Sequence, residues 1–215
     1  LCDLCYQTKC PYIPPHPWNV DFPHLMLRAK ATAHRRGETG FAARLLSNTT
    51  TVGKLASIPL AVNLVNAANR NPTARKLIDK ALGVDPRARV PDYHSDTARR
   101  RLKGMDAAIA TPVAAGRTRG KVALFVTCYC NYSQPQVVED LVAVFRHNGV
   151  GIKLIEREVC CGMPKLELGD LDTVARYKEK NIPLLAAAVR EGFDITAPIP
   201  SCVLMFRQEL PLMFP

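Results

Sequence analysis

The sequence predicts an α/β protein: a parallel β-α-β domain over residues 119–215, preceded by a helical, basic region over 21–118 and a cysteine- and proline-rich segment over 1–20. Three observations predict it. From Lys121 onward, short apolar runs alternate with amphipathic stretches, the pattern of strands joined by crossover helices. Between 37 and 118, short helical patterns are punctuated by Gly53, Pro59, Pro72, Gly83-Val84-Asp85-Pro86 and Pro91. Ahead of both, the run CPYIPPHPW that starts at Cys10 holds too many prolines for a helix interior or a central strand.

Taken in order, Asp21-Phe22-Pro23 reads as a helix start, with Pro in the first turn and good helix formers from His24 to His34. Val122 to Val126 is a buried strand, Gln136 to His147 a helix closed by Asn148-Gly149, and Gly151 to Ile155 a second strand. Leu171 to Glu191 is helical, interrupted before Pro183 and ended by Gly192, and Ile195 to Ile199 is a third strand. Cys128 follows the first strand, Cys160-Cys161 the second and Cys202 the third. Right-handed parallel connections therefore deliver four thiols to one sheet edge, outside the carboxyl ends of the strands, where open α/β sheets bind ligands.

A length of 215 residues, 47% hydrophobic and 22% charged, suits one medium globular domain or two small ones. No run of about 18 apolar residues is present to span a bilayer. The best candidate, Ile58 to Ala68, is broken by Pro59, Asn63 and Asn66. The opening Leu1-Cys2-Asp3-Leu4-Cys5 has neither the basic start nor the apolar run of a secretory signal, and the absence of an initial Met leads us to expect a cut start. Between Arg28 and Lys121 there are 19 Lys or Arg against 6 Asp or Glu, so the basic excess sits in the middle. Without interleaved aromatics this zone is not a nucleic-acid surface; it reads as a solvated face that docks a partner. No Ser–His–Asp order, phosphate loop or dinucleotide fingerprint occurs, so no side chain is expected to act as a conventional acid–base catalyst.

The eight cysteines carry the chemistry. Adjacent residues such as Cys160 and Cys161 scarcely bridge each other, which favours a shared prosthetic group over disulfides. Cys2-x2-Cys5-x4-Cys10-Pro11 resembles the bacterial ferredoxin run in which closely spaced thiolates hold a 4Fe–4S cubane and a Pro follows the last Cys, with one residue more before that Cys. Cys2, Cys5 and Cys10 are thus candidate metal ligands, and a preceding half of a two-cluster ferredoxin module is expected ahead of Leu1. A zinc knuckle completed by His16, or three free thiols, are the other readings of this segment.

The spacing Cys128, then Cys160-Cys161-Gly162, then Cys202 with Met205 three residues on, resembles the cysteine-rich CCG domain found in the B subunit of heterodisulfide reductase, the iron–sulfur subunit of glycolate oxidase and the C subunit of anaerobic glycerol-3-phosphate dehydrogenase. Met205 stands where the full pattern has another Cys, and one copy of the pattern is present. The stretches CDLCYQTKCPYIPPHPWNVDFPHLMLRAKA, TCYCNYSQPQVVEDLVAVFRHNGV, CCGMPKLELGDL and PSCVLMFRQELPLMF carry the likeness along nearly the whole chain. What the resemblance implies is an iron–sulfur subunit that passes electrons from a flavin-dependent dehydrogenase partner toward a quinone or another acceptor, in the cytoplasm or peripherally on the inner face of the membrane. Cys2, Cys5 and Cys10 then match the ligands of a 4Fe–4S cluster, and Cys128, Cys160, Cys161 and Cys202 match the cofactor-binding CCG cysteines. Disulfide chemistry of the heterodisulfide reductase kind and a zinc-stabilised interaction module are the alternatives. Cys130 has no counterpart and reads as a small buried hydrophobe or an oxidisable neighbour of Cys128. His24, His34, His94 and His147 have no partner at ligand spacing.

Overall fold

The structure, a computed structural model, describes residues 10–104 and 120–215. The expected ligands Cys2 and Cys5 and the expected boundary at 118–119 lie outside the described residues. Helix α1, Phe22–Arg35, starts where Asp21 caps it: its carboxylate accepts the His24 N–H at 3.2 Å, and Pro23 occupies the first turn. Leu27 and Ala31, one turn apart, are its buried stripe. The basic region then folds as α2 (Phe41–Leu46), α3 (Thr49–Ala56), α4 (Pro59–Arg70), α5 (Pro72–Leu82) and α6 (Ala98–Arg101). Proline opens α4 and α5, and Asn71 caps α5 by accepting from Thr73 and Ala74.

Three parallel strands, β1 (Lys121–Leu124), β2 (Gly151–Leu154) and β3 (Asp194–Thr196), form a sheet in the order β2-β1-β3. Short helix α7 (Cys128–Tyr132) and α8 (Pro135–His147) lead from β1 to β2; α9 (Met163–Leu168) and α10 (Leu171–Arg190) lead from β2 to β3. The chain ends in α11 (Pro200–Leu204), a π-helical turn (Met205–Glu209) and α12 (Leu210–Met213). The central strand and its extension alternate sides, as the two-residue period requires. Val122, Leu124 and Val126 pack with Ala98, Leu102, Val138 and Val142, while Ala123 and Phe125 face Leu27, Leu166, Val174, Leu185 and Met205. Helices cover both faces, which is why β1 is buried and almost uniformly apolar.

Two expectations need correction. Helix α10 runs through Pro183 without a break. Pro183 is exposed, so the backbone bond it forfeits lies on the solvent side, while Val174, Asn181, Leu185 and Ala188 hold the other face in the core. The third strand is three residues, Asp194–Thr196, and not Ile195–Ile199, because β1 offers only Val122 to Leu124 as partners before the Phe125 N–H closes the ladder on Thr196 at 2.9 Å.

Helix α1 is locked to the far end of the chain through His24, whose ring nitrogens reach Asp21 Oδ2 at 2.6 Å and Glu209 Oε2 at 3.1 Å. Both nitrogens donate only in the imidazolium form. Burial lowers the imidazole pKa, but hydrogen bonds to Glu209 and Asp21 outweigh it and the net shift is upward. The contribution is therefore fully present below about pH 6.5, the unfolded value, and is lost as pH rises through the raised folded value. Thermal melts of wild type and His24→Gln should differ most in mildly acid solution and converge in alkaline solution; a difference that grows with pH would contradict a charged His24.

Candidate cofactor site

Each thiol is presented by a turn that leaves a strand. Thr127, with φ of 70°, starts α7 and accepts the Cys130 N–H on its hydroxyl at 3.2 Å, which sets Cys128 at the first position of the helix. After β2, Cys160 and Cys161 precede Gly162, whose φ is 104°. At that φ an L side chain is strained, and a Cβ there would also press on the Met205 Cε at 3.2 Å. Cys202 lies in the first turn of α11, behind Pro200.

The structure brings all four together. Cys128 Sγ is 3.8 Å from Cys160 Sγ, Cys128 packs against the cluster that holds Cys160, Cys161 and Cys202, and Cys161 and Cys202 line the same cleft as Cys128. Hydrogen bonds from Cys128 and Cys161 and from the Gly162 N–H hold the Cys160 thiol well below the ordinary range, as a thiolate does when two thiols donate to it. The same sharing, with burial, pushes Cys128 and Cys161 up. Cys160, Cys161 and Cys202 are buried, and Cys128 is half-buried. A cleft lined by Tyr93, Tyr129, Tyr132 and Met163 opens onto Cys128, Cys161 and Cys202.

The turn before Cys128 is held from below. Glu158 accepts the N–H groups of Val126 at 3.2 Å and Thr127 at 3.0 Å and pairs with Arg99 at 3.0 Å. Burial pushes its carboxyl up to about 7, while Arg99 and the two N–H groups pull the other way. From the helical region, Thr49 Oγ1 reaches Cys128 Sγ at 3.3 Å and Cys160 Sγ at 3.6 Å.

Among the other sequence candidates, Cys130 is fully buried in the apolar layer with Val126 and Val138, and fully buried Met205 lies in the opposite layer. Cys10 sits in a turn whose Ile13 N–H approaches its carbonyl, and it takes no part in the thiol cluster. His16, the fourth ligand a zinc knuckle would recruit, accepts the Trp18 N–H on Nδ1 and packs edge-on to the Tyr12 and Trp18 rings. Among the described residues no three His, Cys, Asp or Glu side chains converge as a single metal ion requires. Four soft sulfurs, which become thiolates when they bind metal, fit a polynuclear iron–sulfur group, which takes one thiolate per iron. Sequence reading missed Thr49, Glu158 and the pairing of His24 with Glu209, because each acts across more than 30 residues of chain.

Residues 122–207 match the cysteine-rich domain CCG. The chain is similar to the C subunit of anaerobic glycerol-3-phosphate dehydrogenase of Escherichia coli (strain K12), 32% identical over 168 residues, 78% of this chain and 40% of that relative. Over 74 residues it is 32% identical to the B subunit of fumarate reductase (CoM/CoB) of Methanothermobacter marburgensis, covering 34% of this chain and 14% of the relative. An uncharacterized iron–sulfur protein of Methanocaldococcus jannaschii is 30% identical over 64 residues, 30% of this chain and 13% of its own length. The chain thus spans well under half the length of these relatives. No solved structure matches it. With Cys128, Cys160, Cys161 and Cys202 all inside the matched span, residues 122–207 of this chain belong to the CCG family of cysteine-rich domains.

Proposed function

We propose that the chain is an iron–sulfur electron-transfer subunit of an oxidoreductase, taking electrons from a flavin-dependent dehydrogenase partner and passing them toward a quinone or another acceptor. The observation that carries this reading is the cluster of four cysteines gathered from three strand ends around one cleft inside a CCG domain. Relatives that are by name part of a dehydrogenase, part of a reductase and an iron–sulfur protein support it. Cys128, Cys160, Cys161 and Cys202 would hold one cluster, and Cys2, Cys5 and Cys10 would contribute to a 4Fe–4S cubane. When bound, such a group supplies a one-electron carrier. The chain's own residues supply anionic sulfur that spreads the charge change, an apolar surround, and N–H and O–H donors to sulfur. The reading places the chain in the cytoplasm or peripherally on the inner face of the membrane; among the described residues no helix is long and apolar enough to cross a membrane.

Burial of Cys160, Cys161 and Cys202 disfavours thiol–disulfide exchange with a bulky partner, since attack on a disulfide needs access to the thiolate. The test is iron, zinc and acid-labile sulfide content with visible and EPR spectra on anaerobically purified chain, for wild type, Cys5→Ser and Cys160→Ser. Iron with matching sulfide, lost in part in each variant, is the expected result. Zinc alone, or no metal after reconstitution with iron and sulfide, would reduce the cysteines to a structural role.

A further inference from the structure

Helix α3 belongs to the basic helical region, outside residues 122–207, yet its first residue reaches two of the thiols, Cys128 and Cys160. Three contacts within seven residues fix it there. Ser47 Oγ, just before the helix, accepts from the buried Lys165 ammonium at 3.0 Å, tying the segment to α9 and so to the turn that carries Cys160 and Cys161. Thr49 Oγ1 lies 3.3 Å from Cys128 Sγ and 3.6 Å from Cys160 Sγ. Gly53, one turn on, is pressed against Tyr132 so closely that a Cβ would stand 2.7 Å from Tyr132 Cγ, which seats α3 on α7, the helix that begins with Cys128. The hydroxyl is therefore held between the two cysteine-bearing turns by anchors on both.

We infer that Thr49 is a positioning residue for the cofactor: its hydroxyl shares its one hydrogen between the cysteine sulfurs at 128 and 160 and raises the reduction potential of the group they hold. The inference rests on the cofactor reading above. Metal-bound cysteine sulfur is a thiolate and only accepts, so the hydroxyl has one role left to it, that of donor. A donor to sulfur stabilises the more negative, reduced state more than the oxidised one, and the potential rises with it. The basic helical region is on this account part of the redox site as well as a surface.

Isosteric Thr49→Val removes the hydroxyl and keeps the shape, and Thr49→Ser keeps the hydroxyl. The whole chain is reconstituted anaerobically with iron and sulfide, its metal content is measured, and a potentiometric titration follows the EPR signal that disappears in Cys160→Ser. With equal iron and sulfide in all forms, Thr49→Val is expected to titrate at a lower potential than wild type and Thr49→Ser close to wild type. Loss of iron in the valine variant alone would equally assign the hydroxyl to the cofactor. An unchanged potential in Thr49→Val at full cluster content overturns the inference while leaving the cofactor reading standing, and so does a loss of cluster common to both variants. A wild-type chain that takes up no iron or sulfide removes the reading and the inference together.

Discussion

Gly169→Ala should cost about 3 kcal/mol of stability and loosen α1 from the domain. Gly169 ends α9 at a φ of 87°, in the left-handed region, where an L side chain costs roughly 1–2 kcal/mol. A Cβ there would also stand 2.5 Å from the Lys30 carbonyl oxygen and 2.6 Å from the Ala31 nitrogen. Those are backbone atoms of α1, so relief requires a shift of the whole helix. Gly37→Ala is the matched control: its φ is 77°, and a Cβ there meets nothing within 4 Å. Only the conformational cost, about 1 kcal/mol, should appear in that variant. Denaturant midpoints for the two variants read the difference directly, and equal losses would mean that α1 does not bear on α9.

What could be read in the sequence was whatever depends on local pattern. Alternating apolar runs and their breakers located β1, α8 and β2 to within about a residue or two, and parallel connections then put Cys128, Cys160, Cys161 and Cys202 at one edge. Helices α7 and α9 escaped because CYCNY and MPKLEL are too short to display a helical period. Pro183 misled because a proline disrupts a helix only if the lost bond and its neighbours lack tertiary support, and α10 has that support on its buried side. The residues that complete the site carried no signal. Thr49 is one of three consecutive threonines, and nothing in SNTTTVG states that one hydroxyl will meet sulfurs 79 and 111 residues later. The pairing of His24 with Glu209 was not evident because the two are 185 residues apart. Long-range polar pairing is a property of the packed fold, and local periodicity does not encode it.

Glu158 is another such residue, and its role is larger than its place between two cysteine turns suggests. Thr127 is a β-branched residue at positive φ, a conformation that persists only when its surroundings over-determine it. Glu158 does so by accepting the Thr127 and Val126 N–H groups while Arg99 braces the carboxylate and donates onward to the Ile155 carbonyl at 2.5 Å. Glu158→Ala leaves two backbone donors and a guanidinium without their acceptor and should destabilise the fold by about 3 kcal/mol, with Cys128 released from its position. Glu158→Gln isolates the charge. Because burial raises the folded carboxyl to about 7, above its unfolded value, folding favours the protonated acid; wild-type stability from this group is greatest in acid and declines as pH rises to 7. The cost of Glu158→Gln, measured by denaturant melts, should therefore shrink from about pH 4 to pH 7 and level off above it. A cost that grows over that range would show the Arg99 pair, and not burial, in command of the carboxyl.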